Sequence, residues 1–276
     1  MMQEKHLKSD MALQKALEQN EASYWQILYA NRSDDRCRTH VKVIGGAVAG
    51  MMPEIDVLAC NRAIGLGINT PATEAQIDAI IDAYKAANVL RFFVQVSPYA
   101  QPENIQEMLK QKGFSHYNNW AKLYRKADAP MPPVQTCLTV VEIGAAQAEE
   151  YGKLIVQCFE WDERLTGVMA GTVGAPGYKN YFALDGNKPV GAAALYVNDR
   201  YASMAIAGTL PGHRGKGAQS ALLARRIADA QALGCQHIIS ETAEEKADKP
   251  VASYRNMRRM GFELAYLRPN YIYYTK

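Results

Sequence analysis

One step occurs twice in this chain and restricts its architecture more than any other feature. A short helical stretch ends in Gly-Phe and runs directly into an aromatic-rich extended segment. It is written MLKQKGFSHYNNWAKLYRK at 108–126 and NMRRMGFELAYLRPNYIYYTK at 256–276, and the two Gly-Phe steps are 148 residues apart (261 minus 113). A second element repeats upstream of each step, in the same order. NTPATEAQIDAIIDAYKAANV (69–89) and GTLPGHRGKGAQSALLARRIADAQALG (208–234) both place a proline ahead of a long amphipathic helix. In the first of these, Ile77, Ile80, Ile81 and Tyr84 share one face at helical spacing. Two echoes in one order predict two copies of one fold.

A length of 276 residues accommodates two domains of average size. The segment KADAPMPPVQT, 126–136, separates them: its three prolines remove backbone donors and hold their neighbours extended. The expected domains are therefore 1–130 and 137–276. Hydrophobic content of 48% and charged content of 21% describe a soluble globular protein. The net charge of +3 is too small to argue for nucleic acid or an anionic membrane as the main partner, and neither is expected. Cys37, Cys60, Cys137, Cys158 and Cys235 form no ligand spacing, so no metal is expected and the thiols read as reduced and intracellular. The start, MMQEKHLKSDMALQKALEQNE, has no apolar core of a secretory signal. No apolar run approaches the roughly 20 residues of a membrane span, and the expected location is cytoplasmic.

The second half alternates strands and helices. CLTVVEI (137–143) reads as a strand, and QAEEYGKLIVQCF (147–159) as a helix with Tyr151, Leu154, Ile155 and Cys158 inward. YFALDGNKPVGAAALYVND (181–199) reads as a hairpin turned at Asp185-Gly186-Asn187, and YASMAIAGT (201–209) as a further strand. A helix to about Leu233 ends at Gly234, then follow a strand at 235–242, a helix at 251–260 and a last strand. This is an α/β fold with hairpin and crossover connections mixed.

Between strand and helix stands the stretch that carries chemistry, TLPGHRGKGAQSALL. A helix N-terminus offers unpaired N–H groups and a partial positive charge, and glycines let a backbone approach a phosphate closely. Arg214 and Lys216 add charge at the rim. The stretch is neither a P-loop nor a dinucleotide fingerprint, because the spacing of both patterns fails. Taken alone, RGKG is equally a basic turn before a helix.

In this context, "TLPGHRGKGAQSALL" resembles the acetyl-CoA signature of the GCN5-related N-acetyltransferase (GNAT) superfamily. The family pattern R-x-x-G-x-G/A falls on Arg214, Gly217 and Gln219, the last a departure from Gly or Ala. Asn256 and Gly261-Phe262 also fit, and the resemblance covers 137–276. The first half, especially NRAIGLGINTPATEAQIDA, resembles the degenerate amino-terminal copy of tandem members. The resemblance implies two tandem domains, each a mixed, mainly antiparallel twisted sheet flanked by helices.

It also implies acetyl-CoA as acyl donor. Ala207 and Thr209 would offer backbone groups to the pantetheine arm, and Arg214, Gly215, Lys216, Gly217, Ala218 and Gln219 would form the diphosphate cradle. Asn256 would reach the pantetheine or thiol end, and the strands at 201–209 and 235–242 would splay to admit the thioester. The first copy has Thr73-Glu74-Ala75-Gln76 at the matching place, where a carboxylate and the lack of glycine argue against CoA. The implied function is acetyl transfer to the amine of a small-molecule acceptor. The alternatives are a non-catalytic acyl-CoA-binding sensor or assembly module, and transfer of a different acyl group. A homodimer is the oligomer to test.

Proton carriers are the open point. Many family members carry a tyrosine where this chain has Met257, and others a glutamate on the strand before the cradle, where YASMAIAGT has none. Tyr254, one turn earlier, and Glu241, on the neighbouring strand, are the replacements proposed, with Tyr266 and Tyr271 as further tyrosines and a water chain as the third option. His213 reads as a packing or solvent residue rather than a base. Arg225-Arg226 reads as a solvated helix face. Glu160, Asp162, Glu163 and Arg164 read either as a hydrated loop or as an acidic lure for an amine.

Overall fold

The computed structural model describes residues 10–276. The expectation about a leader falls partly on residues 1–9 and lies outside them. The chain forms two compact units, cut differently from the division at the proline segment. One contains the residues up to Ala30 with Cys37–Lys122 and Ala265–Lys276; the other contains Asn31–Arg36 and Leu123–Leu264.

The first unit opens with helix α1 (Met11–Ala30) and strands β1 (His40–Ile44), β2 (Ala47–Met51) and β3 (Arg62–Ile64). Helix α2 (Glu74–Ala86), strand β4 (Arg91–Gln95), helix α3 (Ile105–Gln111) and strand β5 (Ser115–Lys126) follow. Ile77, Ile80, Ile81 and Tyr84 of α2 are buried in the apolar core of this unit, as their spacing predicts. β4 pairs in parallel with β3 and antiparallel with the chain's last strand, Glu263–Tyr274, in the register Asn270↔Gln95 to Tyr274↔Arg91. That pairing is why 265–276 belongs to the first unit rather than to the second.

A buried ionic cluster accompanies this core. Arg268 donates to Glu18 at 2.7 Å and approaches Glu21 at 2.8 Å; Arg62 lies 3.2 Å from Glu21, which also accepts from Lys122. Burial alone would raise the Glu21 carboxyl, but Arg268, Lys122 and Arg62 outweigh it and hold it far below the usual carboxylate range. Tyr266 donates to Glu18 at 2.5 Å and Tyr271 to Gln106 at 2.8 Å.

The second unit contains β6 (Thr139–Ile143), α4 (Ala148–Phe159), α5 (Thr166–Ala170), β7 (Tyr178–Asp185) and β8 (Lys188–Asn198). After these come β9 (Tyr201–Ser203), β10 (Ala207–Thr209), α6 (Ala218–Ala232), β11 (His237–Ala243) and α7 (Ala252–Arg259), and β12 (Glu263–Tyr274) closes the chain. The strand order in this unit is β11-β9-β8-β7-β6, with β10 also on β8. Of these pairings β9–β11 is parallel, and β8–β9, β8–β10, β7–β8 and β6–β7 are antiparallel. Adjacent residues of a strand face opposite sides. Tyr181 accordingly joins the core beneath α6 and bonds Asp229, while Phe182 meets Tyr151 of α4, so the two helices cover opposite faces. The fold is a mixed, mainly antiparallel, twisted open sheet flanked by helices, as expected.

Both Gly-Phe steps have the same backbone geometry. Gly113 and Gly261 take φ of +92° and +81°. Phe114 N–H bonds the Leu109 carbonyl at 3.0 Å, and Phe262 N–H bonds the Met257 carbonyl at 3.1 Å, the pairing of a left-handed helix stop. The echo in sequence is therefore an echo in structure.

Two expectations need correction. The segment 201–209 is not one strand: Tyr196 opposes Ser203 while Ala193 opposes Ala207, so 203–207 spans four steps against three on β8. One extra residue, a β-bulge, interrupts it. Arg226 is not on a solvated face either. It is fully buried, donating to the carbonyls of Ala194 and Leu222 at 3.0 Å each, because position 226 shares the sheet-facing side of α6 with Leu222 and Leu223. Burial lowers its pKa to about 10. Only Arg225 is half-exposed, paired with Asp229 at 3.0 Å.

The nearest atoms to a Cβ added at Gly113 or Gly261 are 3.5 and 3.6 Å away, ordinary contact distances. Gly113→Ala and Gly261→Ala should each therefore lose only the left-handed backbone term, about 1 kcal/mol, measurable by urea denaturation. Costs differing by more than twofold would show that the two steps are not equivalent. Glu21 supplies a pH test of the first unit. Its folded pKa is depressed, so its stabilisation is present above the ordinary carboxyl value and is lost as pH falls. Glu21→Gln should weaken the acid dependence of unfolding.

Candidate functional site

The bulge creates the site. β9 pairs with β11 from Tyr201↔His237 to Ser203↔Ile239, and the Met204 N–H to the Ile239 carbonyl, 2.7 Å, is the last link. Beyond it β10 pairs with β8. Ile206, Gly208 and Leu210 make the bonds to β8, seen as Ala194 N–H to Ile206 O and Leu210 N–H to Val190 O, both 2.9 Å. By antiparallel alternation, Ala207 and Thr209 turn their N–H and C=O groups to the other edge, into the opening.

A cavity of about 550 Å³ occupies this opening. Ala207, Gly208 and Thr209 form one wall and the end of α4, Cys158 and Phe159, another. The loop and first turn of α6 form its end, through His213, Arg214, Gly215 and Gly217–Ser220. Ala252, Ser253, Asn256 and Arg259, one face of α7 at helical spacing, complete it.

The helix end here has no capping side chain. Gly217, the N-cap of α6, has φ of +87° and no side chain to satisfy the first N–H groups, and Gly215 has φ of +81°. A Cβ at Gly217 would lie 3.0 Å from that of Thr136, whose hydroxyl donates to the Lys216 carbonyl at 2.8 Å. Gln219 lines the cavity without closing the loop, so the departure from Gly or Ala is accommodated.

Thr209 contributes more than backbone. It is buried, and its Oγ1 has no hydrogen-bond partner among the described residues, so a donor and an acceptor are left for whatever fills the cavity.

The charges are placed differently from the expectation of a basic rim. Arg214 folds inward, its Nη2 donating to the Cys158 carbonyl at 3.2 Å and its Nε to the Thr209 carbonyl at 3.4 Å. It ties the end of α4 to the end of β10. Lys216 is not part of the lining; its Nζ lies 3.6 Å from Asp185 in the β7–β8 turn. The Asn256 Oδ1 accepts from Arg259, which leaves the amide N–H₂ as the group it can present to a ligand. Burial pushes the Cys158 thiol up to about 11, with Arg214 opposing in part.

Of the expected residues, Ala207, Thr209, Arg214, Gly215, Gly217, Ala218, Gln219 and Asn256 line the one cavity. Tyr254 does not: it is half-buried against the apolar core of the second unit. Glu241 does not either. It alternates with Ser240 and Thr242 on β11, while Ile238 on their side joins the core under α6 and α7, so Glu241 faces away from the face that α7 covers. Tyr266 and Tyr271 belong to the first unit, with the partners already given.

Sequence reasoning passed over Cys158, Phe159, Ser253 and Arg259, which carry no motif and enter the cavity by helix register alone. His213 lies in the lining, not in packing or solvent only.

The matching helix end of the first unit is closed. The Thr73 hydroxyl accepts from Gln76 N–H at 3.3 Å and the Gln76 side chain accepts from Thr73 N–H at 3.0 Å, a capping box that uses the donors an anion would need. Glu74 lies 3.4 Å from Lys112.

A glycine-lined helix end and the edge of β10 that turns away from β8 meet in this one cavity. Residues 142–262 match the acetyltransferase (GNAT) family and form a GNAT domain. Three solved structures share the fold. A GCN5-related N-acetyltransferase from Kribbella flavida is 19% identical with TM-score 0.62, covering 91% of this chain and 93% of its own. A GCN5-related N-acetyltransferase from Sphaerobacter thermophilus is 14% identical with TM-score 0.59, covering 83% and 81%. A tandem GNAT protein from the clavulanic acid biosynthesis pathway is 15% identical with TM-score 0.59, covering 83% and 78%. No curated protein matches the sequence. Among the described residues no helix is long and apolar enough to cross a membrane.

At pH 8 iodoacetamide should modify exposed Cys137 well before buried Cys158, read by peptide mass spectrometry. Equal rates would contradict the burial of the cavity thiol.

Proposed function

We propose that this protein is an acetyl-CoA-dependent N-acetyltransferase acting on a small-molecule amine. The observation that carries the reading is the coincidence, in one cavity, of an uncapped glycine-bounded helix N-terminus with the edge of β10 that no strand covers. Backbone N–H groups from Gly215 to Gln219 suit a diphosphate, and the edge groups of Ala207 and Thr209 suit the amides of a pantetheine arm. The buried unpartnered Thr209 hydroxyl, which asks for a polar ligand, fits the same group.

Acetyl-CoA supplies an activated acyl group as a thioester. The protein's part is to hold that thioester beside the strand break, to polarise its carbonyl with a backbone N–H and to exclude water. The amine nitrogen forms a bond to the carbonyl carbon, the carbon–sulfur bond breaks, and the proton lost by the amine balances the one the thiolate gains. Tyr254 and Glu241 remain the proposed proton carriers, with solvent as the competing route. Their positions outside the lining favour transfer through water. The first unit, whose matching helix end is internally capped, is proposed to be structural.

Titration calorimetry with acetyl-CoA and CoA, followed by thiol-release assays over an amine panel, tests the reading. Gly217→Glu should reduce CoA affinity at least tenfold, because it adds a carboxylate at the anion site of a left-handed residue. Glu74→Ala should leave affinity unchanged. Unaltered binding in Gly217→Glu would overturn the cradle. Tight binding without transfer to any amine would turn the protein into a CoA sensor.

A further inference from the structure

Resting on the CoA reading of the cavity, the geometry points to Arg226 as a positioning residue that holds the strand break in shape. A buried arginine with no carboxylate beside it is costly, because its charge loses water and gains no opposite charge. Arg226 is fully buried, and among the described residues no carboxylate pairs with it. Its guanidinium reaches only neutral acceptors, the carbonyls of Leu222 and Ala194, and its Nη2 has no hydrogen-bond partner among the described residues. The titratable groups near it are Tyr151 of α4 and Tyr181 of β7, from opposite faces of the sheet. Burial raises both hydroxyls above their ordinary range, so neither supplies a negative charge.

The acceptor on β8 explains why the charge is there. Tyr196 opposes Ser203 and Ala193 opposes Ala207, so Ala194 and Ile206 stand where the register slips. In a regular antiparallel ladder, residues placed like these exchange two bonds, N–H to carbonyl each way. Here the Ala194 N–H donates to the Ile206 carbonyl at 2.9 Å, while the Ala194 carbonyl accepts from the Arg226 Nη1 at 3.0 Å. The guanidinium takes the place of the returning Ile206 N–H. An apolar side chain of similar length would leave that carbonyl buried and unpaired, and the direct repair is for Ile206 to turn its N–H back to β8. That turn would rotate the peptide planes that follow, at Ala207 and Thr209, which are the groups facing the cavity. Arg226 thus acts on the donor through β10 without touching it.

Stability and binding should therefore move apart when the charge is removed. Arg226→Met keeps an unbranched apolar stem and deletes the charge and its donors. It should unfold at or above the wild-type temperature, because an unpaired buried charge is gone. Hydrogen exchange across 203–207 should slow as the Ile206 N–H takes the Ala194 carbonyl. CoA affinity, by titration calorimetry, should fall roughly tenfold, the worth of one or two hydrogen bonds from a displaced β10 edge. Arg226→Lys, which keeps a charged donor for Ala194, should recover most of that affinity. A residue that only filled the core would show the reverse coupling, with lower stability and faster exchange.

Wild-type CoA affinity in Arg226→Met overturns this assignment, whatever the exchange rate, and leaves the CoA reading standing. Failure of Arg226→Met to fold, or faster exchange with lost stability, also overturns it, since the arginine would then serve the core rather than the opening. A wild type that binds no CoA overturns the CoA reading, and exchange at 203–207 then decides the role of Arg226 by itself.

Discussion

One extra residue between Ser203 and Ala207 is the constraint on which the site depends. A sheet closes wherever two strands can continue to exchange hydrogen bonds, and an unbroken 201–209 would have continued along β11. The bulge ends that exchange at Met204 and Ile239 and shifts β10 by one position. Ala207 and Thr209 then carry peptide groups with no strand to meet. Such groups are costly in a dry interior and useful in a cavity. The opening is therefore both the weak point of the sheet and the place where a ligand with amides of its own can complete it.

Around that opening the polypeptide sorts charge by role. Arg214 joins helix α4 to strand β10 through two carbonyls, which fixes the wall that Cys158 and Phe159 form. Gly208 permits the same approach, since a Cβ there would stand 2.5 Å from that of Cys158. Glycines at φ near +80° shape the start of α6, and Asp185 lies 3.5 Å from His213 and 3.6 Å from Lys216 beside it. In the first unit the equivalent helix start satisfies its own amides through Thr73 and Gln76. The helix start is open in the second unit and closed in the first because one begins with glycine and the other with a capping side chain.

Elements governed by local rules were legible in the residues. The hairpin at Gly186-Asn187, the stop of α6 at Gly234 and the buried faces of α2 and α4 all follow from turn chemistry and period. So does the conformation of the loop before α6, because a glycine pair ahead of a helix carries its conformation in its composition. What local rules miss is rotation and register. Arg226 looks solvated beside Arg225, yet one residue along a helix is about 100° around it, which takes Arg226 beneath the sheet. Tyr254 and Glu241 have suitable chemistry, but one packs into a core and the other faces the opposite side of β11.

By itself the sequence determined the repeated Gly-Phe step, the α/β alternation and the glycine-rich start of α6. These are properties of short stretches, whose backbone preferences do not depend on distant partners. Tertiary structure decided that the last strand pairs with β4, that one bulge opens the sheet, and that His213 rather than Lys216 faces the cavity. Those outcomes depend on which strand finds which edge and on which side of a loop each charge falls, and neither is encoded in any single segment.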